Sequence, residues 1–111
     1  MNKLEFAVTT KDPDVLDELS WDEDWCVRWY VASNRNTKPE TLDVLSRDEN
    51  SYVRRYVAEN PNTSPEILDT LSQDKDSIVR CFVADNPNCS ERAYKYIKGL
   101  ELLKSLSKVT T

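Results

Sequence analysis

The chain of 111 residues contains no histidine and a single glycine, Gly99. Without histidine there is no Ser-His or Cys-His pair and no ordinary imidazole base, which closes the usual routes to nucleophilic and general acid–base catalysis. Paired carboxylates are plentiful, but every pair has a helix-capping explanation, so no catalytic residue is assigned and the chain is not expected to be an enzyme. One glycine excludes a glycine-rich phosphate loop. No apolar run reaches membrane-spanning length, and the polar stretch Lys3-Leu4-Glu5-Phe6 does not read as a secretory signal. A soluble, cytoplasmic protein that does not enter a membrane is expected. The three cysteines, Cys26, Cys81 and Cys89, show no C-x-x-C spacing and fall at three different positions of the pattern described next. With no histidine beside them they argue against zinc or an iron–sulfur cluster, and their odd number fits a reducing compartment. No metal and no cofactor is expected. Cys26 reads as a small buried hydrophobe.

What the chain does have is an internal repeat, in which position i returns at i+26 and again at i+52. Leu16, Leu19, Ser20 and Asp22 return as Leu42, Leu45, Ser46 and Asp48, then as Leu68, Leu71, Ser72 and Asp74. Val27, Arg28, Val31, Ala32 and Asn34 return as Val53, Arg54, Val57, Ala58 and Asn60, then as Val79, Arg80, Val83, Ala84 and Asn86. A period of this length means stacked two-helix units rather than one central core.

The first helix of each unit should open at Asp12-Pro13, Lys38-Pro39, Ser64-Pro65 and Ser90-Glu91. A capping side chain, a fixed φ and an early acid are the marks of a helix start. Lys38 departs from the capping pattern, and Glu91 stands where the others have proline. The paired leucines 16/19, 42/45 and 68/71 should face inward. The stretches from Asp22, Asp48 and Asp74 resemble half a calcium loop. They lack its glycine, and the bidentate Glu is missing at two of three sites, so they read as caps of a second helix. That second helix places Val27, Tyr30 and Val31, and their equivalents, on one face. Asn34, Asn60 and Asn86 suit a left-handed helix stop. The expected organisation is a single domain over 1–111: an N-terminal cap at 1–11, repeats over 12–93 and a capping helix at 94–111. That final helix runs over about 91–108. It should close the array with Ala93, Ile97, Leu100, Leu103 and Leu106.

The pattern Leu-x-x-Leu-Ser-x-Asp-x-x-x-x-Val-Arg-x-x-Val-Ala-x-Asn-Pro-Asn-Thr-Ser-Pro-Glu, complete in residues 42–66, resembles the leucine-rich repeat variant family. The resemblance implies an all-α, right-handed superhelix of short helices, here about three 26-residue repeats, and an interaction role. Asp22/Arg28, Asp48/Arg54 and Asp74/Arg80 also resemble HEAT repeats, where such residues make a structural ladder between neighbouring units. One member of the family carries a cysteine-rich iron–sulfur module, and nothing in this chain matches it.

Residues that differ between units are not demanded by stacking and are where a partner should bind. Trp21 aligns with Arg47 and Gln73, Trp25 with Ser51 and Ser77, and Trp29 with Arg55 and Cys81. At about 100° per residue, Trp25 and Trp29 lie near 160° and 200° from Val27, opposite the core stripe. In HEAT-like arrays this outer face lines the concave surface. Trp21, Trp25, Trp29, Arg47 and Arg55 are therefore the candidate partner-binding residues, since interface hot spots are rich in Trp and Arg. Packing of the tryptophans under residues 1–10, against Phe6, is the competing reading. The acidic row Asp17, Asp43 and Asp69 reads as a solvated face.

Residues 1–90 hold 10 basic and 18 acidic residues, a balance of −8, while 91–111 hold 5 and 2, a balance of +3. Cations near the end of a final helix suit its dipole. The acidic body argues against nucleic acid as a partner. Another protein is expected, bound to a monomer. Two alternatives are an acidic inhibitor that mimics nucleic acid, and a nucleic-acid binder working through its arginine rows.

Overall fold

The computed structural model describes residues 2–109; Met1 and residues 110–111, at the ends of the expected caps, lie outside the described residues. Among the described residues the chain is all-helical, with eight helices and no strand: α1 Lys3–Thr9, α2 Pro13–Leu19, α3 Trp25–Ser33, α4 Pro39–Leu45, α5 Ser51–Glu59, α6 Pro65–Leu71, α7 Ser77–Asp85 and α8 Glu91–Val109. Every expected helix start is met within a residue. The molecule is elongated, 55 × 25 × 18 Å.

Each start has a local cause. The side chains of Asn2, Asp12, Asp24, Asn50, Ser64 and Asp76 accept hydrogen bonds from the first-turn N–H groups of their helices. The Ser90 hydroxyl accepts from the Ala93 N–H. Lys38 makes no such bond, as its chemistry requires; its ammonium instead reaches Asp14, 3.4 Å away. Proline occupies the first position of α2, α4 and α6, where no N–H is missed.

Packing follows the period. α3, α5 and α7 lie side by side, α1 extends that row at one end, and α8 meets α7 at the other. Val27, Val31, Val53, Val57, Val79 and Val83 are buried, with Leu16, Leu42, Leu45, Leu68 and Leu71 beneath them. Burying a side chain of this size contributes about 1.5–3 kcal/mol. Leu19 is only half-buried, because α2 has no first helix of a preceding unit to cover it. Cys26 is likewise half-buried rather than enclosed.

Two expectations about this framework are corrected. Asn34, Asn60 and Asn86 do not end their helices in the left-handed region: their φ values are −73°, −64° and −78°, and no described residue has positive φ. Their side chains act instead. The Asn60 amide donates to the Ala32 and Asn34 carbonyls at 2.8 and 3.0 Å, and Asn86 repeats this on Ala58 and Asn60. Asn34 does the same on Ala7 and Thr10. Each asparagine thus satisfies carbonyls left open at the end of the preceding helix.

The second correction concerns α8. Ala93 and Ile97 are buried, but Leu102, Leu103 and Leu106 are 60%, 64% and 52% exposed. The helix seals α7 with its first two turns, keeps a looser contact through Leu100 and Glu101, and then runs past the array.

Candidate functional site

The arginine ladder sets the frame. In sequence each arginine follows an aspartate by six residues, as Asp22/Arg28, Asp48/Arg54 and Asp74/Arg80, and would sit beside it, but the ion pairs of Arg28 and Arg54 reach forward to the next loop. The Arg28 guanidinium meets the Asp48 carboxylate at 2.7 and 3.2 Å while donating to the Asp22 and Glu23 carbonyls. Arg54 does the same to Asp74 and to the Asp48 and Glu49 carbonyls. The six-residue spacing leaves the arginine over its own loop's backbone, and its fork extends to the next loop's carboxylate. Those carboxylates also accept the Asn50 and Asp76 N–H groups, which fixes the loops. Asp22 has no preceding arginine and pairs with Lys3 at 3.0 Å. The Asp24 N–H and Lys3 hold the Asp22 carboxyl below its ordinary range. At the other end Arg80 donates to the Asp74 carbonyl, and Leu100 stands one period after Asp74, where the repeat calls for an aspartate.

The acidic row of the first helices is only partly solvated. Asp17 accepts from the Thr41 hydroxyl and Asp69 from the Ser90 hydroxyl, both across helix pairs, while Asp43 pairs with Arg47 in the turn after its own helix.

Trp21 stands apart from Trp25 and Trp29, whose rings meet tilted at 6.0 Å. Trp21 is 71% exposed on the turn after α2, and with Arg47 it lines a shallow groove of about 480 Å³ beside Arg28 and Asp48. Trp25 lies elsewhere, on the N-terminal turn of α3, 38% exposed. Its ring stacks on Tyr52 of α5 at 5.6 Å and 24°. The Arg55 guanidinium sits 4.6 Å from the centre of the Tyr52 ring and pairs with Asp76 at 2.8 Å. Arg55 is therefore not the free surface cation its variability implied. Burial disfavours the Asp76 carboxylate, but the bonds from Arg55 and the Ile78 N–H prevail and hold it below the usual range.

Trp29 departs from expectation. It is half-buried and packs against the core, 5.1 Å from the Tyr30 ring and edge-on to Tyr56 at 5.3 Å. Tyr56 in turn meets Phe82 edge-on at 6.3 Å. Its indole Nε1 is buried and makes no hydrogen bond. A wheel drawn for one helix puts Trp29 opposite the core, but α5 lies alongside α3 and a large ring is covered by the neighbour. The aromatic rings against Trp29 belong to α3 and α5.

The exposed face along α3, α5 and α7 thus presents Trp25, Tyr52 and Ile78, the last two 48% and 41% exposed. Tyr52, Ile78 and Asp76 were missed from sequence. The available signal was that positions 26, 52 and 78 are all apolar although Val27, Val53 and Val79 already supply the core.

Helix pairs in a fixed register, tied by arginine–aspartate and asparagine–carbonyl ladders, define a helical-repeat protein. Residues 53–76, from α5 to the loop before α7, match the family model described as leucine rich repeat variant, the family that the motif of residues 42–66 resembles. Comparison with the curated proteins and with the solved structures gives no match. Among the described residues no helix is long and apolar enough to cross a membrane.

Proposed function

We propose that the chain is a non-enzymatic protein-interaction module: one domain, a right-handed solenoid of about three 26-residue units between an N-terminal and a C-terminal cap. It presents the second-helix face to a protein partner. The observation that carries this reading is the exposed Trp25–Tyr52 stack with Arg55 held over it by Asp76. A fixed aromatic and cationic cluster rimmed by charge has the composition of a binding hot spot. Trp21 and Arg47, in their separate groove, are a secondary contact. A protein is favoured over nucleic acid because Arg28, Arg47, Arg54 and Arg55 all spend their charge on internal carboxylates and the body of residues 1–90 is net acidic.

The test uses Trp25→Ser, the residue found at positions 51 and 77. Proteins retained from the native host by the wild type but not by this variant are purified and titrated. The variant should melt within about 1 kcal/mol of wild type, the scale of one aromatic pair, and bind more than about 2 kcal/mol more weakly. Full-strength binding by a normally folded variant moves the interface elsewhere.

A further inference from the structure

The arginine ladder ends on an unequal rung. Arg28 and Arg54 each meet the aspartate 20 residues further on, Asp48 and Asp74. The same step from Arg80 reaches Leu100. The cause lies in α8. α2, α4 and α6 end at Leu19, Leu45 and Leu71, and the loops after them supply Asp22, Asp48 and Asp74. α8 continues beyond the equivalent residue, Ile97, so position 100 stands on a helix and carries an apolar side chain.

Arg80 is anchored as its two predecessors are. Its Nη1 donates to the Asp74 carbonyl at 2.5 Å, as those of Arg28 and Arg54 donate to the Asp22 and Asp48 carbonyls at 2.7 Å. In Arg28 and Arg54 this anchor leaves Nε and Nη2 as a fork that takes both oxygens of one carboxylate. The Arg80 side chain, half-buried, has no carboxylate partner among the described residues. It lines a cavity of about 210 Å³ between α7 and α8, together with Ser77, Leu100, Glu101 and Lys104. Lys104 brings a second cation to the wall. The Glu101 carboxylate pairs with Lys98 of its own helix at 3.3 Å.

We propose that this cavity is a carboxylate-binding site, in which the Arg80 fork takes an external carboxylate as Arg28 and Arg54 take Asp48 and Asp74. The ladder is the reason for the choice of ligand. A guanidinium tied down by one nitrogen presents the other two in a fixed plane, which suits the planar, two-oxygen carboxylate. Charge agrees: the wall holds two cations, Arg80 and Lys104, and one anion, Glu101. A single negative charge balances it, whereas a phosphate dianion would face Glu101 with charge to spare. The site lies on α7 and α8 and is independent of the Trp25–Tyr52 cluster on α3 and α5. Two sources carry the group: a free carboxylic acid, and an Asp or Glu side chain of a protein.

NMR of the nitrogen-labelled full chain tests the proposal. Acetate replacing chloride at constant ionic strength should move the Arg80 Nε–H signal along a saturating curve, with a dissociation constant on the order of 10 mM, the scale of one charge-assisted pair. The Arg54 signal should stay in place, since its fork already holds Asp74. In Arg80→Gln the Ser77 and Lys104 amides should lose their response. Leu100→Asp, which sets a carboxylate at the ladder's own register position, should abolish it too while the chain stays folded. Lys104→Gln should weaken acetate about threefold and Glu101→Gln strengthen it by about as much. A blocked alanine pentapeptide with one central Glu separates the sources. Tighter binding than acetate, lost in its Gln twin, assigns the site to a protein side chain, and binding no tighter than acetate assigns it to a free acid. An Arg80 signal that moves no more than that of Arg54 overturns the proposal, as does an unchanged response in Leu100→Asp. A Glu101→Gln chain that melts earlier and binds no acetate overturns it as well, since Glu101 is then the internal partner of Arg80.

Discussion

Arg54 and Arg55 are neighbours in sequence and carry unequal burdens. Arg54 is 7% exposed and joins two loops through Asp74 and the Asp48 carbonyl. Removing one partner of a buried pair costs roughly 3–5 kcal/mol, because the other charge stays behind. Arg54→Ala should lose that much in denaturant titration. Arg55 also has a carboxylate partner, but at a more open site, and Arg55→Ala should cost about 1 kcal/mol. Arg80→Ala should fall well below Arg54→Ala, since among the described residues its guanidinium has no carboxylate across the helix pair to strand. Equal midpoints for Arg54→Ala and Arg80→Ala would refute a forward-reaching ladder. Acid should act through the same residues. The Asp22 and Asp76 carboxyls lie lower in the folded chain than in the unfolded one, whose value is about 3.9. The unfolded chain therefore takes up their protons first. Their contribution is complete above the unfolded value and is lost as pH falls through the folded one. Melting temperature should drop below about pH 4, and Asp76→Asn should drop less over that interval while being less stable at pH 7.

At the scale of elements, the asparagines matter more than helix propensity. The helices of seven and nine residues are too short to persist alone in water. Their ends are finished by side chains from elsewhere. The Thr37 and Thr63 hydroxyls bond the Val31 and Val57 carbonyls at 2.6 Å, and Asn60 and Asn86 bond the ends of the helices before them. Asn60→Asp is nearly isosteric, but it replaces a donor by a charge facing two carbonyls in a site 2% exposed. A cost of about 3 kcal/mol or more is expected at neutral pH, measured by urea unfolding. Asn62→Asp, at an exposed residue making a similar bond, should cost less than half as much. Tolerance of positive φ, which the sequence suggests for these asparagines, is one of the two common uses of Asn at a helix end. Which use applies depends on whether an open carbonyl lies within reach, and that carbonyl belongs to the helix of the preceding unit.

Across the whole molecule, stability should be graded rather than uniform, because each helix pair is held by its neighbours. α5 is flanked on both sides, by α3 and α7, whereas residues 101–108 of α8 are exposed throughout. Amide exchange should be slowest in α5 and fastest in the distal half of α8. At micromolar concentration, protection along 101–108 equal to that of α5 would contradict this.

The sequence by itself determined the helices, their starts and the inward leucines and valines. These follow from caps, prolines and periodicity that act over a few turns of chain, and repetition in phase makes each instance check the others. It determined also that Asp48 and Asp74 act with the arginines. Only the tertiary structure decided which aspartate each arginine meets, since the choice lies between equivalent loops of adjacent units. It alone separated Trp25 from Trp29. A helical wheel describes one helix in isolation, and Tyr56 of α5 packs edge-on over the Trp29 ring while Trp25, stacked on Tyr52 of the same helix, stays 38% exposed. It also decided that α8 outruns the array. Leu103 and Leu106 carry an inward-facing composition, but burial requires a surface opposite, and α7 ends before it can provide one.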